Sequence, residues 1–213
     1  MSFPPIDEIK LRVADFQRVV IHRNNYHYDF LLKICEIIHQ NLLIDESNGH
    51  YQFKDFLRDE KAMARLFEAF IRNFYRNETS LQVRSEQIKW QFDKVSPEAQ
   101  SMIPIMQTDI SLYRKTQKLI IDAKYYKEAF VKRFDTEKFR TPNLYQLFAY
   151  LINQQTDTEM SQTCGGMLLY PATYSTFKHE MYYHKHRIGI QAINLNQEWP
   201  LIKNNLLSLV SDL

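Results

Sequence analysis

Apolar residues recur with helical spacing through the first third of the chain. Residues 8–43 are predicted to be mainly helical after a loose lead-in, because Phe30, Leu31, Ile34 and Ile37 fall on one helix face. Residues 44–52 are polar and predict a turn. A second amphipathic helix is predicted over residues 60–75, and its apolar stripe contains Met63, Leu66, Phe67, Phe70, Ile71 and Phe74.

The hydrophobic spacing then changes from a helical period to a period of two. The predicted strands cover residues 86–92, 103–112, 118–125, 167–170 (ended by Pro171) and 187–194. Helices are predicted at 143–153 and 199–210, each with a proline at or just before its start. This order predicts an α/β fold with a mixed sheet and helices on both faces. We expect a helical segment, residues 1–80, to pack on a core formed by residues 81–213.

Composition excludes several classes of protein. The 213 residues carry a net charge of only +2 and fit one domain with a helical subdomain. The chain has no run of eighteen apolar residues and no secretory signal, which predicts a cytoplasmic protein without a membrane span. It also lacks a glycine-rich phosphate loop, so we do not expect it to hydrolyse a nucleotide itself.

Charge is uneven along the chain. Residues 124–140 hold six Lys or Arg against three acids. A basic strip of this kind suits a polyanionic substrate, although a solvated surface segment would look the same.

Two acids and a lysine at the ends of predicted strands suggest metal chemistry. Asp109 follows one short apolar run, and Asp122 ends a second run, with twelve residues between the two acids. Two carboxylates on neighbouring strands can hold Mg²⁺ through oxygen ligands. Lys124 lies two residues beyond Asp122 and so projects from the same face of its strand. There it can orient an attacking water and offset phosphate charge. The alternative is a structural Asp–Lys ion pair near a sheet edge.

Three further polar residues could support that site. Glu68 lies among apolar neighbours on the second helix and is a candidate third metal ligand, or else a partner of Arg65 or Arg72 at helical spacing. Gln146 and Tyr150 are four residues apart on a helix and share a face. They could steady the carboxylates or contact a DNA phosphate, or they could bond only to local partners.

The chain resembles the McrC family, the endonuclease subunits of McrBC-type, 5-methylcytosine-dependent restriction systems. The matching stretches span nearly the whole chain and keep their order. They are 49–56, 58–63, 106–110, 119–127, 136–139, 143–147 and 194–200.

The resemblance implies a PD-(D/E)XK nuclease core, restriction-endonuclease-like, that cleaves double-stranded, modified DNA with Mg²⁺, for which Mn²⁺ can substitute. It implies that Asp109 and Asp122 bind the metal, that Lys124 is the catalytic lysine, and that Gln146 and Tyr150 form a Gln-x-x-x-Tyr element. Glu68 falls where related nucleases often carry a helical Glu or Gln.

The implied partner is an McrB-like AAA+ GTPase, and two-strand cleavage would need two active sites, hence a dimer. Full-length McrC-like proteins carry an N-terminal region that docks into the motor ring, and this chain begins close to the nuclease half. We therefore expect either a truncated or stand-alone form, or a second chain that supplies the docking part. The alternative function is a non-cleaving module that binds DNA or the motor and regulates its GTPase.

Overall fold

The computed structural model describes two compact units, Met1–Ala62 and Met63–Leu213. The residues described are 11–20, 32, 35, 36, 39, 59–126, 130–133, 136–154, 158–172 and 176–213. In the first unit, helix α1 spans Val13–Gln17. Most of the predicted helix 8–43 and the whole predicted turn 44–52 lie outside the described residues. Residues 63–80, which the sequence assigns to the N-terminal segment, belong to the second unit.

A six-stranded mixed sheet forms the centre of the second unit. In spatial order its strands are β1 (Gln82–Arg84), β4 (Ile110–Arg114), β5 (Gln117–Ala123), β8 (Gly165–Ala172), β10 (His186–Asn194) and β9 (Lys178–Tyr183). Strands β5, β8 and β10 run parallel, and the outer strands join antiparallel. The mixed sheet predicted from the sequence is confirmed.

Two short antiparallel ribbons accompany the sheet. One pairs β2 (Gln87–Ile88) with β3 (Met106–Gln107), and the other pairs β6 (Phe130–Arg133) with β7 (Thr136–Phe139). The second ribbon contains three of the six basic residues of the basic strip, but its side chains before residue 138 lie outside the described part. The contribution of that strip to substrate binding therefore stays a prediction.

Helices cover both faces of the sheet, as predicted. Helices α2 (Glu60–Glu78) and α6 (Trp199–Ser208) place apolar side chains against one face, where Phe74, Tyr75 and Leu206 are almost fully buried. Helix α4 (Thr141–Asn153) packs Leu147 and Leu151 against the other face. The one-turn helices α3 (Pro97–Gln100) and α5 (Glu159–Gln162) lie in connections. No helix in the described residues is long and apolar enough to cross a membrane.

A parallel crossover brings helix α4 onto the sheet. Strands β5 and β8 are parallel neighbours, and a connection between such strands commonly contains a helix. The helix approaches strand β8 closely at Gly166, where an added Cβ would lie only 3.0–3.1 Å from side-chain atoms of Leu147 and Leu151. Glycine at this position therefore sets how deeply helix α4 can pack.

The hairpin between strands β4 and β5 fixes the register of the sheet's central strands. Arg114 pairs with Gln117, which leaves the two-residue turn Lys115–Thr116, and Lys115 has a φ of 52°. Two-residue hairpins favour positive φ because that backbone twist matches the twist of the strands. The turn between these two strands therefore consists of Lys115 and Thr116.

Several predicted strand limits are wrong. The predicted strand 103–112 is broken at Thr108 and Asp109, because its two halves pair with different partners. Of residues 86–92 only Gln87–Ile88 is strand. Pro171 does not end strand β8, since the ladder with strand β10 continues to Ala172. Strands β1, β6, β7 and β9 are not predicted, because none of them carries a run of four or more apolar residues in the sequence.

Candidate active site

The two predicted acids meet at one end of the β4–β5 hairpin. Ile110 pairs with Ile121, so the next step along the same register sets Asp109 opposite Asp122. Side chains alternate along a strand, and Asp122 therefore shares a face with Ile120, which packs in the cluster under helix α4. The sheet thus presents both carboxyl groups on the α4 side.

Asp122 is an aspartate in an apolar setting. It is 0% exposed, and neither carboxylate oxygen accepts a hydrogen bond from the described residues. Lys124 Nζ lies 2.9 Å from Asp122 Oδ2 as an ion pair outside hydrogen-bond angles. Burial raises the pKa of Asp122 to about 6; the charge of Asp109 adds to this rise and that of Lys124 opposes it. Such a buried pair of oxygens fits a cation, because a charge buried with so few partners is otherwise costly.

Asp109 lies in the break between strands β3 and β4. The main-chain N–H of Ala123 donates a 2.9 Å hydrogen bond to its Oδ2. Burial raises the pKa of Asp109, while Lys124, the Ala123 amide and Arg72 act in the opposite direction. The pKa of each acid is therefore raised, even though positive or hydrogen-bond donor groups lie close to both carboxyl groups.

Lys124 is held by hydrogen bonds at its main-chain N–H and at its side-chain amine. Its main-chain N–H donates to the carbonyl of Leu169, which continues the β5–β8 ladder by one residue. Its Nζ donates a 2.9 Å bond to Gln146 Oε1, in addition to the contact with Asp122. Lys124 and Asp122 thus lie on the same face, as the spacing of two residues predicts.

Gln146 and Tyr150 form a hydrogen-bonded chain on helix α4. Gln146 Nε2 donates to the Tyr150 hydroxyl at 2.6 Å, and that hydroxyl donates to the carbonyl of Gln107 at 2.7 Å. Burial raises the pKa of Tyr150 to about 12, and the nearby charges of Asp122 and Asp109 also raise it. This series of hydrogen bonds connects Lys124, through Gln146 and Tyr150, to Gln107 at the end of strand β3.

Glu68 forms an ion pair within its own helix. Its carboxylate pairs with Arg72 at i, i+4, which is the alternative foreseen from helical spacing. No group of three or more His, Cys, Asp or Glu side chains is arranged to hold a metal within the part of the chain that the structure describes. The role of Glu68 as a third ligand stays a prediction.

Comparison with known proteins identifies the family. A family model described as "McrBC 5-methylcytosine restriction system component" matches residues 1–171. The chain belongs to this McrBC family. It is also 36% identical over 212 residues to the "Type IV methyl-directed restriction enzyme EcoKMcrBC" of Escherichia coli (strain K12). That match covers 99% of this chain and 60% of the relative, so the chain spans about three fifths of the curated relative's length. The resemblance to the McrC family is confirmed.

This McrBC-family chain has site residues that the sequence did not single out. Arg72 Nε donates to the main-chain carbonyl of Asp109 at 3.2 Å. Thr108 is 1% exposed and shares a 3.0 Å hydrogen bond with Ser111 Oγ. The helical spacing of Glu68 and Arg72 indicates that Arg72 can pair with Glu68, but not that it contacts Asp109. No pattern in the sequence indicates that Thr108 is buried at the site.

A buried tyrosine also adjoins the site of the McrBC-family chain. Tyr170 follows Leu169 on strand β8, and the β5–β8 register therefore sets it beside Lys124. Its hydroxyl accepts a 3.0 Å bond from Asn143 Nδ2, and the Tyr126 hydroxyl donates to Asn143 Oδ1 at 3.2 Å. Burial raises the pKa of Tyr170, and the charge of Asp122 contributes to that rise.

A second ion pair occupies the opposite end of the same face of strand β5. Lys118 Nζ lies 2.7 Å from Glu86 Oε2, and the Tyr113 hydroxyl donates to the same carboxylate. Burial acts to raise the pKa of Glu86, but Lys118 and Tyr113 outweigh it and lower that pKa. Both acids thus pair with a lysine, but Glu86 also accepts a hydrogen bond from a tyrosine hydroxyl.

Proposed function

We propose that this chain contains a metal-dependent endonuclease site that hydrolyses phosphodiester bonds in double-stranded DNA. One observation supports the proposal above the others. Asp122 is a fully buried carboxylate whose oxygens accept no hydrogen bond from the described residues, and it lies opposite Asp109 and beside Lys124. In the other ion pair on this face, Lys118 with Glu86, the Tyr113 hydroxyl donates to the carboxylate, whereas no such donor reaches Asp122 among the described residues.

Asp109 and Asp122 would hold Mg²⁺, for which Mn²⁺ would substitute, because hard cations prefer carboxylate oxygens. When bound, such an ion activates water and neutralises charge at a phosphate. Lys124 Nζ donates hydrogen bonds toward the attacking water or a phosphate oxygen and offsets the negative charge there. Gln146 Oε1 holds Nζ in place at 2.9 Å, and Tyr150 orients the Gln146 amide through its hydroxyl.

The family membership supports the wider role that we propose. The Escherichia coli relative is named as a methyl-directed restriction enzyme, and we extend modified DNA as substrate to this chain. We further propose that the chain works in the cytoplasm with an McrB-like AAA+ GTPase, and that a dimer supplies the two sites needed to cut both strands.

Nicking of supercoiled plasmid tests the proposal. The parent protein, Asp122→Ala and the control Asp93→Ala are incubated with plasmid and Mn²⁺ at high protein concentration. Asp93 is an exposed aspartate outside the site, so its loss removes one charge without touching the site. We expect nicking by the parent and the control but not by Asp122→Ala. Equal nicking by all three proteins would remove the assignment.

If no protein nicks alone, the reaction is repeated with an McrB-like partner and GTP. Cleavage that then depends on Asp122 supports a partner-dependent nuclease. DNA or motor binding that survives alanine at Asp109, Asp122 and Lys124, without cleavage under either condition, supports the non-cleaving module instead.

A further inference from the structure

Helix α2 is anchored in the core on one side and carries Glu68 and Arg72 beside the site. Phe67, Ile71 and Phe74 on its buried side pack into the core, and the Tyr75 hydroxyl donates to the carbonyl of Leu206 at 2.9 Å. A helix anchored on one side holds the groups on its flank at fixed positions. Glu68 and Arg72 lie one turn apart on that flank.

The main chain at Asp109 needs an external partner. Strand β3 ends at Gln107 and strand β4 begins at Ile110, so the residues between them leave the regular ladder. Thr108 compensates through its main-chain N–H, which donates to the Glu86 carbonyl at 2.9 Å, and through its own carbonyl, which accepts from Ser85 Oγ at 2.6 Å. The next carbonyl, that of Asp109, accepts from Arg72 Nε at 3.2 Å. The Arg72 side chain thus supplies the donor for a main-chain carbonyl that a neighbouring strand would supply in a regular ladder.

Glu68 holds the guanidinium that makes this bond. Its carboxylate pairs with the terminal nitrogen of Arg72, so that Nε is left to face Asp109. The planar guanidinium fixes the relative directions of its donors, so binding one of them orients the others. This arrangement engages Glu68 with Arg72 and not with the aspartates.

We propose that Arg72, oriented by Glu68, is a positioning residue for Asp109. By fixing the main-chain carbonyl of Asp109, it holds the Asp109 carboxylate opposite Asp122 in the geometry that a divalent cation requires. The inference rests on the proposed function, because it treats Asp109 as a metal ligand. It assigns Glu68 a role through Arg72 in place of the direct ligand role suggested by the sequence.

The first test follows the position of Asp109 without any metal or substrate. The Ala123 amide donates to Asp109 Oδ2, so its hydrogen exchange reports whether that carboxylate stays in place. In EDTA, we expect Arg72→Met to speed hydrogen exchange at the Ala123 amide roughly tenfold. Loss of a hydrogen bond from a charged donor changes an equilibrium constant by about this factor. Exchange at Ile190, in the middle of strand β10, serves as the reference for global stability.

Arg76→Met is the matched control, because Arg76 is an exposed arginine one turn further along the same helix. It should leave exchange at Ala123 unchanged. Unchanged Ala123 exchange in Arg72→Met, or equal acceleration at Ala123 and Ile190, would overturn the proposal. The exchange measurement needs neither metal nor DNA, so it tests the role of Arg72 independently of the proposed nuclease activity.

The second test separates the two roles of Glu68 through Mn²⁺ affinity measured by calorimetry. Arg72→Met should weaken Mn²⁺ binding about tenfold or more, as loss of an outer partner of a metal ligand does. Glu68→Gln keeps an acceptor oxygen for Arg72 and should bind close to the parent value. Adding Glu68→Ala to Arg72→Met should cause no further loss. If Glu68→Gln weakens binding more than Arg72→Met, Glu68 is a ligand and the proposal is wrong. A parent that binds no Mn²⁺ contradicts the proposed function, and the metal-ligand part of this inference with it.

Discussion

Replacing Asp122 by asparagine should stabilise the protein while it removes the proposed activity. Burial raises the pKa of Asp122 from 3.8 to about 6, and a displacement of this size corresponds to roughly 3 kcal/mol. At neutral pH the folded protein carries this cost because it keeps a charged carboxylate out of water. Asparagine has a similar shape and resembles the protonated acid, so Asp122→Asn avoids the cost.

The pH dependence follows from the same shift. Between about pH 4 and pH 6 the folded parent retains a proton on Asp122 that the unfolded chain has lost. The free energy of unfolding of the parent therefore falls as the pH rises through this window, and the whole penalty is present above it. Relative to the parent, Asp122→Asn should gain up to roughly 3 kcal/mol at pH 7.5 and little near pH 4.

Thermal unfolding in EDTA at several pH values measures this difference. For a chain of this size the gain at pH 7.5 corresponds to roughly 6–12 °C in Tm. Subtracting the parent curve from the variant curve removes the contributions of all other groups, and Asp93→Asn controls for the loss of one charge. An Asp122→Asn protein that is less stable than the parent at pH 7.5, or whose advantage stays constant with pH, would refute the reasoning.

Three further substitutions or reagents test the packing around the sheet. Gly166→Ala should cost about 1–3 kcal/mol in urea unfolding, because its Cβ would meet two leucines of helix α4; an unchanged midpoint would contradict the close approach. Lys118→Met should cost about 3 kcal/mol by leaving Glu86 without its partner, and adding Glu86→Gln should recover most of it; a cost that persists in the double variant would contradict this. Burial raises the pKa of the Cys164 thiol to about 12, so alkylation at pH 8 should label the exposed Cys35 and spare Cys164 in mass spectra; equal labelling would contradict the burial of Cys164.

The sequence predicts strand β5 well, for a physical reason. Residues 119–121 form a short apolar run of the kind found in buried strands, and Lys124 follows Asp122 at the spacing that puts both on one face. The ion pair and the shared face in the structure agree with that prediction. Helix α4 was equally predictable, because its apolar positions keep a helical period and a proline opens it.

What the sequence could not supply is pairing between distant segments. Residues 103–112 read as one strand, since nothing in their alternation shows that Gln107 and Ile110 pair with different neighbours. The β6–β7 ribbon has only short apolar stretches, Phe130–Val131 and Phe139, among charged residues, which is too little to indicate a strand. The hydrogen bond of Arg72 with Asp109 joins residues 37 positions apart, so only the folded arrangement reveals it.

The two-residue turn at Lys115–Thr116 makes the site sensitive to chain length. Asp109 lies six residues before Lys115, and Asp122 lies six residues after Thr116, so the turn is the midpoint between them. Inserting or deleting one residue between the acids would set one of them against a neighbour of the other, and its side chain would point to the wrong face. Lengthening the hairpin by two residues on each strand would preserve both the pairing and the face. The gap between the acids can thus change only in fixed steps, and its length is as much a part of the site as the residues themselves.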